Sequence, residues 1–518
     1  MVEKIENILL FLDLIFNLIP TRTIQKQSNY TIVILFLLLF LFSLILKNKV
    51  EGYLNNYYPR EGSQSVLLGL LILPILFYSI SVQPNDEQSK MSVFYPIFLI
   101  ALHQSYFTLL IPTKVSPIFS ILYWYFFKEY LPIVPFTLTV LSHCRLLYLF
   151  LKHLKRSFSF CEAMILCQFL SIIFGTVITL CFSKIFNQFF DSNNDLFALF
   201  FISKKIDLAL KLEQLPTSLI LSLCIIFSVM LTIQLLIKAM KKLDYKCYLL
   251  LFFASLYFCC FAPLFLLVKS DPVETMLNQI FQNKERVFLL AFWFLTLSLM
   301  FFIFFHSKTI RFSKQLSTNT KRKWFHALSV FIFVPGVIFQ PEFMCLSFVV
   351  ALTVFVLEEF LRISQIVPFH HILTKFLSQF KDNKDKGVII LSHFHLLIGC
   401  AIPVWVVTYS TINNTQVAKL ILFGGIIAIG IGDSIASIVG KKIGKIRWYK
   451  TPKTVEGTLS AIIACTLFSM LILNDYNLLK LFFVWSLLFL LEAFTEQVDN
   501  LVLPIYFISI WFAINRAS

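Results

Sequence analysis

The hydrophobic and polar positions of this chain alternate on the scale of whole helices. Long apolar runs, many close to the roughly 20 residues that cross a bilayer as a helix, are separated by short polar stretches. Such runs are too long for the strands of a membrane barrel, and only helices satisfy so much backbone inside lipid. We therefore predict an all-α fold, a polytopic transmembrane helical bundle of about 13–15 membrane helices. The runs lie near residues 31–47, 65–82, 93–112, 131–151, 160–182, 217–238, 247–268, 287–306, 326–340, 343–361, 388–410, 418–440, 456–473, 479–491 and 500–514.

Composition supports this class of protein. Of 518 residues, 58% are hydrophobic and only 14% are charged, whereas soluble domains carry roughly 25% charged residues. The formal net charge of +16 has two interpretations: lysines and arginines that hold loops on the cytosolic side, or a site for an anionic ligand. We assign most of the excess to topology and expect no nucleic-acid partner. The eleven cysteines form no paired CxxC elements, which argues against a zinc site.

The chemistry-bearing residues are unevenly distributed along the chain. Residues 1–304 carry few charges inside their apolar runs, so we predict an N-terminal transmembrane region that acts as scaffold or faces lipid. Residues 305–518 hold nearly all polar residues close to apolar runs, which usually mark function because burying them is costly. We predict that this second region is catalytic. Its basic clusters are separated by pairs of crossings and therefore share one side, which the positive-inside rule makes cytosolic.

Charged and small residues are most concentrated between Gly430 and Thr458. Asp433 comes near the end of an apolar run, among small residues that allow close approach of a backbone or a ligand. Six cations follow within thirteen positions, and the next helix is predicted to begin near Thr454, with Glu456 in its first turn. These cations are Lys441, Lys442, Lys445, Arg447, Lys450 and Lys453.

These residue types suit a nucleotide triphosphate. Phosphate oxygens bind cations and the free N–H groups of a helix N-terminus, and a metal needs a carboxylate such as Asp433 or Glu456. The segment contains no G-x-x-x-x-G-K-[ST] motif and no G-x-G-x-x-G after a strand. The competing interpretation is a loop that only fixes topology, with Asp433 paired to a lysine.

Four further polar clusters fall on the same predicted side. Positions 492, 496 and 499 would align on one face of a continuous helix, and three acids there suggest metal or cation binding. Glu359 and Arg362 are spaced to pair on one helix face. The clusters are Lys321 to His326, Glu358 to Arg362, Lys381 to Gly387 with Ser392 and His393, and Glu492 to Asn500.

Together these motifs resemble the polyprenol kinase family. The resemblance rests on Gly432-Asp433-Ser434, Gly440, Gly444, Arg447-Trp448 and the run from Lys453 to Thr458, supported by the four clusters above. It covers roughly residues 305–505, and the first 300 residues match only in hydropathy and length. Pro452 and Lys445 depart from the residues that related kinases often carry at those positions.

The resemblance implies CTP-dependent phosphorylation of dolichol to dolichyl phosphate, in a multi-pass protein of the endoplasmic reticulum membrane with its catalytic loop on the cytosolic side. As a hypothesis for this site, a divalent metal, Mg²⁺, is held by Asp433 with help from Asp499 or Glu456. We expect catalytic roles for Asp433, Lys453 and Glu456, with His393 or Asp433 as the candidate base. The implied CTP-binding residues are Lys441, Gly444, Lys445, Ile446, Arg447, Trp448, Thr451, Lys453, Thr454, Glu456, Gly457 and Thr458.

Three other functions remain open on the sequence. Another CTP-dependent lipid kinase, acting on phytol or diacylglycerol, would carry similar motifs. A phosphatidate cytidylyltransferase would also use CTP but would transfer the cytidylyl group. A membrane transporter would place its charges at the bilayer midplane, whereas the charges here gather at one interface.

Overall fold

The computed structural model describes residues 2–18, 26–54, 57, 59–60, 64–81, 94–111, 115–128, 131–189, 217–239, 245–268, 271–305, 318–365, 369–378, 381, 384–409, 415–474 and 476–516. Within these ranges the chain is helical and forms no sheet, apart from one isolated bridge between Arg447 and Thr454. Eight helices in this part of the chain are long and apolar enough to cross a membrane, and five more apolar helices are shorter. The prediction of an all-α polytopic membrane bundle is confirmed.

Most of the helices follow the apolar runs of the sequence. Four do not correspond to any of those runs: Val2–Leu18, Ser116–Phe127, Pro272–Phe281 and Phe369–Leu377. The helices before residue 306 are α1 (Val2–Leu18), α2 (Lys26–Leu54), α3 (Val66–Ser81), α4 (Phe94–Leu110), α5 (Ser116–Phe127), α6 (Ile133–His153), α7 (Phe160–Phe189), α8 (Thr217–Ala239), α9 (Tyr245–Leu267), α10 (Pro272–Phe281) and α11 (Lys284–Phe305). Those after it are α12 (Thr318–Phe339), α13 (Pro341–Ile363), α14 (Phe369–Leu377), α15 (Ser392–Tyr409), α16 (Thr415–Gly425), α17 (Ser434–Lys442), α18 (Val455–Ile472), α19 (Leu478–Phe494) and α20 (Asp499–Arg516).

Helices α16 and α17 belong to one continuous span that is wound as a π-helix over Ile426–Asp433. Short π segments are rare and frequently occur at functional sites. The small residues here are required by packing, because a Cβ on Gly432 would lie 2.1 Å from the Phe489 ring and one on Gly430 would lie 2.3 Å from Val330. The π-helix therefore lies deep between neighbouring helices, and Asp433 at its end is buried.

The C-terminal helix α20 lies at the centre of the bundle. Its side chains from Leu501 to Phe512 are almost all fully buried, and it contacts α1, α3, α15, α16 and α19. Buried residues of one hydrophobic core extend from Leu9 to Phe512. The regions predicted as residues 1–304 and 305–518 thus share that core, and the scaffold role of the first region stays a prediction.

A buried polar network ties the N-terminal helices to the segment between α19 and α20, which we call the 495–498 loop. The Arg60 guanidinium pairs with Glu162 at 2.5 Å, with side chains only 7% and 0% exposed. The same Glu162 carboxylate accepts a hydrogen bond from the Val498 backbone N–H at 3.2 Å. Buried pairs of this kind are costly to break, because the remaining charge has no partner.

A second set of hydrogen bonds holds the same loop. The Ser159 hydroxyl donates to the Gln497 side-chain oxygen at 2.5 Å, and the Thr495 hydroxyl donates to Glu6 at 2.7 Å. The Gln497 amide in turn donates to the Ser65 hydroxyl at 2.9 Å. Residues distant in sequence therefore fix the position at which α19 ends and α20 begins.

We expect Arg60→Ala to destabilise the protein strongly, because it leaves the Glu162 carboxylate buried without its cation, at a cost of about 3–5 kcal/mol. Thermal unfolding of the detergent-solubilised protein measures the effect. The matched control is Lys47→Ala, since Lys47 and its partner Glu3 are each 30% exposed and such pairs contribute about 0–1 kcal/mol. Equal unfolding temperatures for the two variants would contradict the assignment.

Candidate active site

Three carboxylates converge where the π-helix, α19 and α20 meet. Oxygen atoms of Asp433, Glu492 and Asp499 all lie within 4.8 Å of one another. Asp433 and Glu492 are buried, and Asp499 is half-buried. Among the described residues this is the one group of three or more potential metal ligands. Negative charges so close together repel one another, so the site requires cations to hold them in place.

Lysines from distant parts of the chain offset part of the negative charge of this carboxylate cluster. The Lys323 ammonium donates a hydrogen bond to Asp433, and Lys453 donates one to Glu492. His326 Nδ1 also lies 3.2 Å from Asp433 Oδ2. Burial lowers the pKa of Lys453 from its ordinary value, while the carboxylates of Asp499 and Asp433 act to raise it.

The carboxylate cluster forms one wall of a basic cavity of about 650 Å³. This volume lies within the range of roughly 300–1,000 Å³ that is typical of small-molecule sites. Small residues of α17 and of the first turn of α18 form another wall, where a ligand meets backbone. A cavity that combines acids with many cations suits a polyanion bound together with a metal. The cations that line it are Arg322, Lys323, Lys381, Lys384, Lys441 and Lys453.

The basic segment between α17 and α18 folds as a short hairpin. The Val455 N–H donates to the Ile446 carbonyl at 2.8 Å, and the Trp448 N–H donates to the Lys453 carbonyl at 3.0 Å. Lys450 has a positive φ of 60°, which reverses the chain at the tip. The Trp448 indole N–H donates to the Thr458 hydroxyl at 2.9 Å, which fastens the hairpin to α18.

The N-terminus of α18 is joined to this hairpin, because its first backbone donor, the Val455 N–H, is used by the Ile446 carbonyl. Thr454 is the N-cap, and its hydroxyl accepts from the Gly457 N–H at 3.3 Å. Glu456, predicted to be catalytic, accepts from the backbone N–H groups of Lys445 and Ile446 at 2.8 and 3.0 Å. In this structure Glu456 therefore fixes the start of the hairpin and does not belong to the carboxylate cluster.

Glycines allow α17 and α18 to approach closely beside the cavity. A Cβ on Gly457 would lie 2.7 Å from the Ala436 carbonyl oxygen and 3.3 Å from the Gly440 Cα. The first contact is with backbone, which cannot rotate away as a side chain can. Only glycine at position 457 permits this wall of the cavity.

The predicted site residues fall into two groups. Those that line the cavity are Asp433, Lys441, Lys453, Thr454, Gly457, Thr458 and Asp499. Those of the hairpin and its base, outside the lining, are Gly444, Lys445, Ile446, Arg447, Trp448, Thr451 and Glu456. Roles in CTP binding stay predictions for both groups.

Two other sequence predictions concern His393 and the acids at positions 492, 496 and 499. His393 does not line the cavity; its ring packs edge-to-face on Phe355 and beside Phe394. The prediction that positions 492, 496 and 499 share one helix face is wrong, because α19 ends at Phe494 and α20 begins at Asp499. Glu492 and Asp499 meet across this break rather than along one helix.

Three residues of the cavity are not singled out by the sequence pattern. In the sequence, Glu492 stands only in a row of acids, and Lys323 stands only in a basic segment where a helix begins. Lys384 lines the cavity and donates to the Gln497 carbonyl at 2.6 Å. Each lies in a cluster visible in the sequence, but only the tertiary fold brings the clusters to one point.

Similarity to known proteins identifies the family of this chain. The sequence model of the family described as Dolichol kinase matches residues 139–473. The chain belongs to the dolichol kinase family.

Individual members of the dolichol kinase family show the extent of the similarity. The chain is 31% identical over 396 residues to dolichol kinase of Schizosaccharomyces pombe, covering 70% of each protein. It is 34% identical over 254 residues to dolichol kinase of Homo sapiens, covering 46% of this chain and 47% of the human protein. A dolichol kinase of Arabidopsis thaliana is 36% identical over 254 residues, 46% of this chain and 43% of that protein. The chain thus matches about half the length of the human and plant relatives, and no solved structure matches it.

We expect Gly457→Ala to destabilise the protein by about 1–3 kcal/mol, the usual cost of overpacking, because the new methyl group would press on the Ala436 carbonyl. Thermal unfolding in detergent measures this. Gly52→Ala is the control, since a Cβ at this helical glycine meets nothing within 4 Å. A Gly457→Ala protein as stable as Gly52→Ala would show that α17 and α18 do not approach as described.

Proposed function

We propose that this protein is a CTP-dependent dolichol kinase. It would transfer the γ-phosphoryl group of CTP to the hydroxyl oxygen of dolichol, releasing CDP and the hydroxyl proton. The observation that carries the proposal is the carboxylate cluster inside a lysine-lined cavity, in a chain of the dolichol kinase family. Phosphoryl transfer depends chiefly on positioning and on neutralising charge, and this cavity is built of groups that do both.

The cations would bind the triphosphate. Lys441 and Lys453 line the cavity beside the first turn of α18, where the positive end of the helix dipole favours phosphate oxygens. Arg447 and Lys445 lie exposed on the adjoining hairpin and can reach a nucleotide from outside the cavity. The preference for CTP over ATP rests on the resemblance of residues 441–458 to the polyprenol kinases.

The carboxylate cluster fits a divalent metal. Hard cations such as Mg²⁺ prefer oxygen ligands and usually bind one or two carboxylates together with substrate phosphates. Asp433 and Asp499 would hold the ion, with Glu492 as the third carboxylate within reach. When bound, the metal supplies positive charge to the phosphate oxygens. Lys323 and Lys453 keep the carboxylates together and add to the positive charge of the cavity.

The membrane setting follows from the same proposal. The catalytic hairpin would face the cytosol, where CTP is available, in the membrane of the endoplasmic reticulum. Dolichol would approach from the bilayer between helices. Its phosphate would then serve the dolichol-linked sugar donors of N-glycosylation, O-mannosylation and GPI anchors.

Purified protein should transfer label from [γ-³²P]CTP, and not from [α-³²P]CTP, to dolichol. ATP should be a poor donor, and phytol and diacylglycerol should be poor acceptors. Thin-layer separation of the lipid products measures each transfer. Transfer of α-label to a lipid would instead identify a cytidylyltransferase, and efficient γ-transfer to diacylglycerol or phytol would identify a different lipid kinase.

We expect Asp433→Asn and Asp499→Asn each to lower the kinase rate roughly 100-fold or more, because several kcal/mol of metal-dependent charge stabilisation are lost. Titration of the rate with Mg²⁺ should show weaker metal dependence in the variants, and EDTA should abolish wild-type activity. Glu342→Gln, a change at an exposed acid at the opposite end of α13 from Glu359, is the control. Normal turnover of Asp433→Asn would exclude the metal role.

A further inference from the structure

Lys384 differs from the other half-buried lysines of the basic cavity in lacking a carboxylate partner. Lys323 and Lys453 each donate a hydrogen bond to a carboxylate of the cluster. Lys384 is also half-buried and lines the same cavity, but it forms no direct ion pair within the described part of the chain. Its ammonium donates to the Gln497 carbonyl at 2.6 Å. An ammonium has three N–H donors, so this bond leaves two for an anion in the cavity.

Lys384 begins a loop of fixed shape, residues 384–391, which we call the 384–391 loop and which joins α14 to α15. The next side chain, Asp385, is 5% exposed and holds the two ends of the loop together. Its carboxylate accepts from the Leu391 N–H at 3.0 Å and from the Ser392 hydroxyl at 2.5 Å. The backbone that carries Lys384 is therefore tied to the start of α15.

The middle of the 384–391 loop is held by two other parts of the bundle. Arg362 Nη2 donates to the Val388 carbonyl at 2.6 Å, and the same nitrogen donates to Glu359 at 2.6 Å. A Cβ on Gly387 would lie 2.4 Å from the Ser157 Cα, so the loop packs directly on backbone between α6 and α7. A lysine on so constrained a loop is in place before a ligand binds, and charge fixed in advance is the most effective in catalysis.

The exposure of the cations indicates which part of a triphosphate each could contact. Lys445 and Arg447 are exposed on the hairpin outside the cavity, and Lys441 is exposed in its lining. Lys384 is half-buried, and its ammonium interacts electrostatically with the Asp499 carboxylate. A nucleotide whose nucleoside end lies at the hairpin would therefore extend its terminal phosphate towards Lys384 and the carboxylate cluster.

We propose that Lys384 binds the γ-phosphoryl group of CTP and is a catalytic residue for its transfer. The proposal rests on the proposed kinase function and deepens it, because it assigns the moving group to a loop distant in sequence from the hairpin. As the γ-phosphorus leaves the bridging oxygen of CDP for the alcohol oxygen, negative charge stays spread over its three equatorial oxygens. The Lys384 ammonium stabilises that charge from a position it already occupies.

Removal of the ammonium tests the catalytic role. Lys384→Gln should lower kcat about 100-fold, the usual effect of removing one preorganised donor, and Lys384→Arg, which keeps the charge, should recover most of the loss. Lys386→Gln is the matched control, because Lys386 belongs to the same loop but is exposed and does not line the cavity. Initial rates of transfer from [γ-³²P]CTP at saturating dolichol measure the effect. Equal rates for Lys384→Gln and Lys386→Gln would overturn the proposal.

Nucleotide binding separates contact with the γ-phosphate from a purely structural role. The β,γ-methylene analogue of CTP keeps the third phosphate, whereas CDP lacks it. Lys384→Gln should weaken binding of the analogue about tenfold or more and leave binding of CDP unchanged, while Lys441→Gln should weaken both. Equilibrium dialysis with detergent-solubilised protein and Mg²⁺ measures each affinity. An equal loss of affinity for the two nucleotides in Lys384→Gln would contradict contact with the γ-phosphate.

This proposal and the kinase function fail in different ways. If wild-type protein phosphorylates dolichol while Lys384→Gln matches Lys386→Gln in rate and in nucleotide binding, the assignment of Lys384 is wrong and the kinase function stands. If Lys384→Gln separates the CTP analogue from CDP as expected but wild-type protein transfers no γ-phosphate to a lipid, the terminal-phosphate site stands and the kinase function fails.

Discussion

The repulsion among Asp433, Glu492 and Asp499 is the constraint that the rest of the site satisfies. Their oxygens lie within 4.8 Å of one another, and two of the three side chains are buried, where charges interact strongly. Lys323 and Lys453 offset part of that repulsion by direct hydrogen bonds. The negative charge that remains is what makes the position suitable for a divalent metal.

Holding three acids together also requires rigid backbone, and the fold provides it from two directions. The π-helix positions Asp433 through tight contacts of its glycines with Val330 and Phe489. Hydrogen bonds from the Arg60 and Glu162 pair and its neighbours fix the 495–498 loop, which joins the helix ends that carry Glu492 and Asp499. Buried ion pairs are weak evidence for stability but can specify one arrangement of the chain. Here the Arg60 and Glu162 pair specifies the position of the loop beside the carboxylate cluster.

The apolar runs predicted the helices because length and hydropathy alone determine which segments can cross a bilayer. Asp433 and Lys453 could be selected from sequence because they stand in a dense local motif. The partnership of Lys453 with Glu492 could not, since it joins residues 39 positions apart across a helix break. The same limit applies to Glu456, which serves the hairpin backbone.

The central position of α20 bears on how the protein is made. Glu492 and Asp499 come from α19 and α20, and the loop between these helices is fastened to side chains of α1 and α7, which are synthesised much earlier. During synthesis, Glu6 and Glu162 must therefore remain without these partners until α19 and α20 have been made and have packed against helices already in place. A chain arrested before that step would contain Asp433 and the basic hairpin but no complete carboxylate cluster. Competence for chemistry would thus arise only once α19 and α20 have joined the bundle.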